Sequence, residues 1–215
     1  MICLIVKAAL AYLLGSLIGS LLVGRLRGGV DIRRLGSGNA GGTNALRTQG
    51  KVFAFWVLLI DIGKGWLATG VLAALALPGI PIGSEREWLV AVCGIAVMLG
   101  HVYPLWYGFK GGKGVATLIG AVLGAAPLLL LPMLAVWLLS VILLGYVGLA
   151  SMLGTVTFAI EAGAQPAAHG ALLTFASVAA LLIVYTHRSN IVRMLDGTEP
   201  RARRLWLLGQ RSRSS

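Results

Sequence analysis

Two lysines set among four glycines are the residues of this chain best suited to hold an anion. The stretch Tyr107–Thr117 reads Tyr-Gly-Phe-Lys-Gly-Gly-Lys-Gly-Val-Ala-Thr. Glycines let backbone N–H groups approach an anion closely, and lysines supply the countercharge. The spacing does not fit a nucleotide P-loop, because glycine follows the second lysine where that motif has Ser or Thr. We predict a phosphate-binding loop formed by Lys110, Gly111, Gly112, Lys113 and Gly114; membrane-interface anchoring of the lysines is the alternative.

A second glycine-rich stretch, Leu35–Arg47, carries small polar groups and one arginine. It contains Gly-x-Gly-x-x-Gly with Asp61 beyond it, which imitates a dinucleotide fingerprint. That fingerprint requires a preceding β-strand, whereas an apolar run and a basic loop precede this stretch. We expect an oxyanion site here, and a polar loop with helix caps is the alternative. Its candidate binding groups are Ser37, Asn39, Thr43, Asn44 and Arg47.

The third constellation lies in the stretch Tyr185–Glu199. His187, Asn190 and Arg193 recur at helical spacing, which predicts that they share one helix face. A histidine beside an amide can orient or deprotonate a hydroxyl group and stabilise charge on oxygen. A histidine at a helix end, interacting with the helix dipole, is the alternative. Arg188 fits a membrane anchor better than a site residue.

The composition places these stretches in a membrane protein. Hydrophobic residues make up 58% of the 215 residues and charged residues 12%, against roughly 25% charged residues in soluble domains. The mean hydropathy is +0.89. We therefore predict an all-α integral membrane protein, with one transmembrane domain over residues 1–200 and a basic tail over 201–215. The two cysteines lie in apolar runs without metal-ligand spacing, so we predict no metal site.

Apolar runs and helix breakers divide the chain into a bundle of seven transmembrane or partly inserted helices, with five as the conservative count. Asp61 and Lys64 fall in the second segment and His101 in the third. Ionisable groups inside membrane segments are functional candidates by default, although Asp61 and Lys64 could simply neutralise each other. The predicted segments are 2–24, 52–77, 88–107, 113–126, 128–147, 149–163 and 168–187, the fourth and sixth being short for a full span.

Charge distribution predicts the orientation. The loop 25–51 holds six Lys and Arg residues, and seven arginines follow residue 187, whereas the loops 78–87 and 162–168 share one arginine. Basic segments remain in the cytoplasm by the positive-inside rule. We therefore expect the N-terminus outside, the C-terminus in the cytoplasm, and the three polar stretches at one cytoplasmic face.

Together the three stretches resemble the motifs of the bacterial integral-membrane acyl-phosphate:glycerol-3-phosphate acyltransferases, the PlsY family. The matching segments are Ser37–Arg47, Gly100–Thr117 and His187–Glu199, in the family's order. Gly42 departs from the pattern, which has alanine there, and Tyr103 stands where phenylalanine is frequent. The resemblance adds Thr117 and Glu199 as supporting residues, beside Asp61, Lys64 and His101. For His101, which extends the second stretch, a satisfied structural histidine near the end of a span is the alternative.

The resemblance implies transfer of an acyl chain from acyl phosphate to the 1-hydroxyl of glycerol 3-phosphate. It implies no cofactor, nucleic acid, coenzyme A or metal, a bacterial cytoplasmic (inner) membrane location, and a soluble producer of acyl phosphate as a candidate partner. Ser37, His187 and Asn190 would hold the reacting groups. His187 acts as general base, or a substrate phosphate takes the proton. The rival functions are a transporter for phosphorylated anions and a non-catalytic lipid-binding scaffold.

Overall fold

The computed structural model describes residues 1–78, 86–165, 170–202 and 205–207. The regular structure of these residues is helical, and the chain divides into two compact units, Met1–Pro127 and Leu128–Ser215. The α-helices are α1 (Ile2–Gly15), α2 (Gly19–Leu26), α3 (Gly42–Trp66), α4 (Arg86–Val102), α5 (Val115–Ala125), α6 (Leu130–Leu144), α7 (Val147–Ala164), α8 (Gly170–Thr186) and α9 (Arg188–Leu195).

Each predicted apolar segment is helical, but the boundaries differ. Segment 2–24 is two helices, α1 and α2, bent by 45°. Helix α3 consists of two helical parts that meet at Gly50, where φ is +83° and ψ is −175°. The predicted segment 52–77 therefore begins close to its predicted start, and it continues through a π-helical turn to Leu72. Four helical segments are long and apolar enough to cross a membrane, or up to six if each bent pair is one span, within the described residues. The all-helical membrane fold is confirmed, and four to six of the described segments have the length and composition of a full span.

Of the two segments predicted to be short, one is short and the other is not. Helix α5 has 11 residues. Helix α7 has 18 residues, because Gly145 alone ends α6, with φ +79°, and Gly148 stays inside the next helix. Of the glycines predicted to break the helix in this region, Gly145 does so and Gly148 does not. The loop positions 79–85 and 166–169 and the tail positions 203, 204 and 208–215 lie outside the described residues.

Glycines bring the helices of the first unit close together. A Cβ atom added at Gly15 would overlap the carbonyl of Val97 on α4, and one added at Gly100 would overlap the carbonyl of Tyr12 on α1. Gly65 meets α5 in the same way. The close helix packing predicted for the small residues of α1 is thus confirmed at Gly15, because only glycine permits this backbone separation.

A buried ion cluster holds the break between α1 and α2. The Lys64 Nζ donates to the carbonyls of Gly15 at 2.9 Å and Leu17 at 2.8 Å, where α1 ends. It also lies 2.9 Å from Asp61 Oδ1, which accepts from the Gly19 amide at 3.1 Å, where α2 begins. Helix ends leave such groups unpaired, and their dipoles favour a cation at the C-terminus and an anion at the N-terminus.

The second unit packs α6 on α7 and α7 on α8. Part of the predicted tail returns to the end of α6: the Ala202 amide donates to Gly145, and the Trp206 Nε1 donates to Leu143 at 3.2 Å. The Arg201 guanidinium lies over Tyr146 at 4.7 Å and over Trp206 at 4.0 Å. These contacts satisfy carbonyls that the helix end leaves open.

We expect Lys64→Met to destabilise the protein strongly. It would leave the Asp61 carboxylate buried, 1% exposed, without its cation, and breaking a buried ion pair costs about 3–5 kcal/mol. Denaturant unfolding of the detergent-solubilised protein, followed by circular dichroism, measures the free energy of unfolding.

The matched control is Lys51→Met, on the exposed surface of the same helix, where a change within about 0.5 kcal/mol is expected. The double variant Asp61→Asn/Lys64→Met should recover part of the loss, because no buried charge remains. Equal unfolding free energies for Lys64→Met and Lys51→Met would contradict a stabilising role for the cluster.

Candidate functional site

The glycine loop, residues 108–114, connects the end of α4 to α5. Gly108 has φ +65° and Phe109 has φ +58°. A non-glycine residue rarely adopts positive φ, so the loop holds a strained turn immediately before Lys110. Gly114 also has positive φ, +90°, and α5 begins at the next residue. The glycines therefore lead directly into a helix N-terminus, which favours an anion.

Two loop amides are already engaged. Gly111 donates to Val102 and Gly112 donates to His101, each at 3.1 Å. These two amides are therefore paired within the protein, and anion binding by the loop stays a prediction. Their glycine identity has another cause: a Cβ atom at Gly111 would overlap the His101 carbonyl, and one at Gly112 would overlap the His101 ring.

Asn44 organises the first polar loop. Its Nδ2 donates to the carbonyls of Ile32 at 3.0 Å, Leu35 at 3.0 Å and Asn39 at 2.9 Å. Its Oδ1 accepts from the Ser37 amide at 3.0 Å. Asn44 is only 2% exposed. Asn44 therefore shapes the turn that carries Ser37, and its predicted contact with substrate stays a prediction.

The first polar loop and the glycine loop lie against each other in the first unit. Ala40 packs with Ile18 and Leu21, and Tyr107 packs against this cluster. The Ser20 hydroxyl donates to the Ala40 carbonyl at 2.7 Å, which fixes the loop on α2. The predicted proximity of these two stretches is thus confirmed, while that of the third stretch stays a prediction.

Arg33 connects the two loops by hydrogen bonds. Its Nε and Nη2 donate to the Asp31 carboxylate at 3.0 and 2.8 Å. Its Nη1 donates to the carbonyls of Tyr107 at 3.1 Å and Lys110 at 2.9 Å. Sequence reasoning missed this residue. The sequence feature that could have indicated Arg33 is Asp31, the acidic residue of a basic loop, two positions before it.

The contact between Arg33 and Asp31 shifts the pKa of both side chains. The hydrogen bond from the Arg33 side chain lowers the pKa of Asp31 below its ordinary value of 3.8, despite partial burial, which opposes the shift. The hydrogen bond to Asp31 raises the pKa of Arg33. Asp31 therefore stays ionised and keeps the guanidinium oriented toward the glycine loop.

The groups predicted to meet substrate differ in exposure. Thr117, predicted as a supporting residue, is fully buried on α5, and its Oγ1 has no hydrogen-bond partner in the part of the chain that the structure describes. Asn39 and Lys113 are half-buried. The exposed members are Ser37, Thr43, Arg47 and Lys110. These exposed members give the loops a positively charged polar surface with one serine hydroxyl.

His187 stands at the junction of α8 and α9 in the second unit. The two helices are bent by 51° there. The His187 Nδ1 lies 2.8 Å from the Ile183 carbonyl, and the side chain is 4% exposed. A carbonyl only accepts, so Nδ1 carries the proton and Nε2 is the basic nitrogen of the neutral ring.

Glu199 forms hydrogen bonds with both Asn190 and Arg193 of the third stretch. Its carboxylate accepts from Asn190 Nδ2 and from Arg193 Nε, both at 2.6 Å. Asn190 and Arg193 thus share a helix face, as their spacing predicts. Arg188 lies over the Tyr185 ring at 4.5 Å, consistent with its interpretation as an anchor.

We expect Arg33→Lys to loosen the glycine loop. A lysine cannot hold a bidentate carboxylate pair and two carbonyls together, and each lost charged hydrogen bond corresponds to about 1.5–3 kcal/mol. Hydrogen exchange should accelerate at least tenfold for the amides of Phe109, Gly111 and Gly112, which are hydrogen-bonded in the loop. The neighbouring exposed Arg34 supplies the control, Arg34→Lys, and equal exchange in both variants would refute the role of Arg33.

Acid should weaken the same contact. Because the folded-state pKa of Asp31 is depressed, its contribution to loop stability is present above the unfolded value, near 3.8, and is lost as pH falls through the folded value. Loop-amide protection, corrected for intrinsic exchange, should fall below that pH in the wild type. Asp31→Asn should show little of this dependence, and identical pH profiles would contradict the assignment.

Comparison with known proteins identifies the family. The family model described as glycerol-3-phosphate acyltransferase matches residues 5–197. The glycerol-3-phosphate acyltransferase of Chlorobaculum tepidum is 39% identical over 216 residues, covering 89% of this chain and 93% of that protein. That of Sinorhizobium fredii is 41% identical over 196 residues, covering 90% and 89%.

Solved structures agree with the sequence matches. The crystal structure of PlsY, an integral membrane glycerol 3-phosphate acyltransferase, in its glycerol 3-phosphate form is 39% identical, with a TM-score of 0.77 and coverage of 92% of this chain and 94% of that one. The lysophosphatidic acid form is 36% identical, with a TM-score of 0.79 and the same coverage. With three motifs, a helical membrane fold and these matches along nearly its whole length, the chain belongs to the glycerol-3-phosphate acyltransferase family.

Proposed function

We propose that this protein transfers a fatty acyl group from acyl phosphate to the 1-hydroxyl of glycerol 3-phosphate. The products are 1-acylglycerol 3-phosphate and inorganic phosphate, in the first acylation of phospholipid synthesis. The observation that carries the proposal is the connection that Arg33 makes between the first polar loop and the glycine loop. These loops and the start of α3 expose Ser37, Lys110 and Arg47, in a chain of this family. Both substrates are phosphate anions, so they require such countercharge.

The residues suit a direct displacement. An acyl phosphate is already activated, and its phosphate leaves without help from a covalent enzyme intermediate. The protein's tasks are to neutralise two phosphates and to bring the hydroxyl to the carbonyl carbon, and positioning alone lowers such a barrier by ~7–11 kcal/mol. We assign Arg47, Lys110 and Lys113 to the phosphates and Ser37 to the reacting oxygens.

In the first of two alternative mechanisms, His187 is the general base that takes the proton of the hydroxyl group. The Nδ1–H bond to the Ile183 carbonyl supports that role, because it makes Nε2 the proton-accepting nitrogen. Asn190, held by Glu199, would support glycerol 3-phosphate. In the second alternative, a phosphate oxygen of the substrate takes the hydroxyl proton, and His187 only orients the hydroxyl group.

The membrane setting follows from the same proposal. The basic loops lie on the cytoplasmic side of a bacterial cytoplasmic membrane, and the N-terminus lies outside. The acyl chain enters between helices near that interface, where burial contributes ~0.8 kcal/mol per CH₂. A soluble enzyme that makes acyl phosphate would deliver the donor to this face.

An acyl-transfer assay on purified protein tests the function. Phosphate should be released from acyl phosphate only when glycerol 3-phosphate is present, and acyl-CoA should not replace the donor. Transfer from acyl-CoA alone would refute the donor assignment. Phosphate counterflow across vesicles without acyl transfer would refute the enzyme and favour an anion transporter.

Replacing His187 by glutamine should separate the two mechanisms. If His187 is the base, kcat falls by ~10²–10⁴-fold, while the KM for glycerol 3-phosphate changes little. The control is Arg188→Gln, at the exposed neighbouring position, which should keep near wild-type kcat. Undiminished turnover in His187→Gln would eliminate the base and leave the substrate phosphate as proton acceptor.

A further inference from the structure

We infer that His101 is a phosphate-binding residue, which donates its Nε2–H to a substrate phosphate oxygen held at the glycine loop. His101 lies near the end of α4 and is 2% exposed. It touches both the ion cluster of Lys64 and the loop at Gly112. The inference rests on the proposed function for the identity of the phosphate, but its geometry stands separately.

The contact with Lys64 determines which ring nitrogen carries the proton. The His101 Nδ1 lies 2.9 Å from the Lys64 Nζ. An ammonium group only donates, and its three protons are shared among four close acceptors, Nδ1 and the oxygens of Gly15, Leu17 and Asp61. A proton on Nδ1 would point at the ammonium donors, so Nδ1 is assigned as the accepting nitrogen. Asp61 Oδ1 is farther from Nδ1, at 3.5 Å, and a protonated Nδ1 would face the ammonium with like charge. His101 is therefore neutral with its proton on Nε2.

That N–H meets the glycine loop. A Cβ atom added at Gly112 would overlap the His101 Nε2, so this nitrogen lies directly against the backbone of Gly112. The hydrogen bonds that the structure gives the His101 side chain involve Nδ1, and Nε2 has no partner among the described residues. Among the described residues, fully buried side-chain atoms without a partner occur at Asp61, Thr117 and Glu161. The His101 Nε2 keeps some access to solvent, so its N–H can reach an anion beside the cationic loop.

The ligand that fits is a phosphate oxygen. The amides of Gly111 and Gly112 are engaged with backbone carbonyls, so the loop lacks two donors that its sequence suggests. The imidazole N–H of His101, held in place by Lys64, can replace one of these amide donors. It is uncharged and, unlike a lysine side chain, has a fixed position. The two sources of this oxygen, glycerol 3-phosphate and acyl phosphate, share that chemistry and are separated by experiment.

Two amide variants distinguish binding from structural support. In His101→Asn the side-chain amide reaches the Nδ1 position and can keep the Lys64 contact, but the Nε2 donor is lost. In His101→Gln the amide reaches the Nε2 position and restores a donor. We expect His101→Asn to raise either the Kd for glycerol 3-phosphate, by titration calorimetry, or the KM for acyl phosphate by about 10–100-fold, and His101→Gln to raise the same constant by only about threefold.

The constant that changes identifies the phosphate that is held. Equal effects of the two variants on both constants would overturn the inference, as would wild-type constants in His101→Asn. If the wild type binds glycerol 3-phosphate in a His101-dependent way but does not use acyl phosphate, the donor assignment fails and the inference stands. If the wild type transfers acyl groups and the two variants behave alike, the proposed function stands and the inference fails.

A measurement on the wild type avoids variants that fail to fold. The chain has three histidines, so ¹⁵N-histidine labelling gives a simple spectrum in which His101 is assigned by its absence from the His101→Gln spectrum. The neutral Nε2–H tautomer and a shift of that N–H signal on adding glycerol 3-phosphate or acyl phosphate are expected. A proton on Nδ1, or no shift at saturation with either substrate, would overturn the inference.

Discussion

The first unit depends on how a charged lysine is accommodated inside a membrane helix. Lys64 is 3% exposed, and burial of an ammonium is tolerated only when its protons are paired. Its partners are the carbonyls that the end of α1 leaves open and the carboxylate that receives the first amide of α2. The ion pair of Asp61 and Lys64 is therefore also the joint that bends one apolar segment into two helices.

That joint reaches the candidate site through His101. The imidazole lies between Lys64 and Gly112, so the ion cluster fixes the ring against which the glycine loop packs. On the other side of the loop, Arg33 holds the carbonyls of Tyr107 and Lys110. The positive φ of Phe109 strains the loop, and these contacts stabilise one conformation of it.

The organisation of the two polar loops shows a division of labour between buried and exposed groups. Asn44 uses its side-chain amide to shape the turn, and Arg33 uses its guanidinium to connect the loops. These residues resemble binding residues in sequence because amide and guanidinium groups suit both tasks. Ser37 and Arg47 are exposed and stay candidates for contact with substrate.

Much of the fold could be predicted from composition, because a chain that is 58% hydrophobic with few charges must bury its backbone in helices. Helix ends could not be predicted as well. Gly148 looks like a helix breaker, yet it lies within α7. The motif residues were recognised from their types and spacing, because phosphate chemistry requires cations, glycines and small polar groups close together.

The sequence by itself determined the membrane class, the family and the candidate phosphate-binding residues, because these depend on residue types, their order and their spacing. Only the tertiary structure decided which of these residues already have hydrogen-bond partners within the protein. The amides of Gly111 and Gly112 are taken by the end of α4, Asn44 by its own turn, and the proton of His101 is placed on Nε2 by Lys64. Each of these depends on a partner distant in the chain, and such contacts are invisible to local pattern.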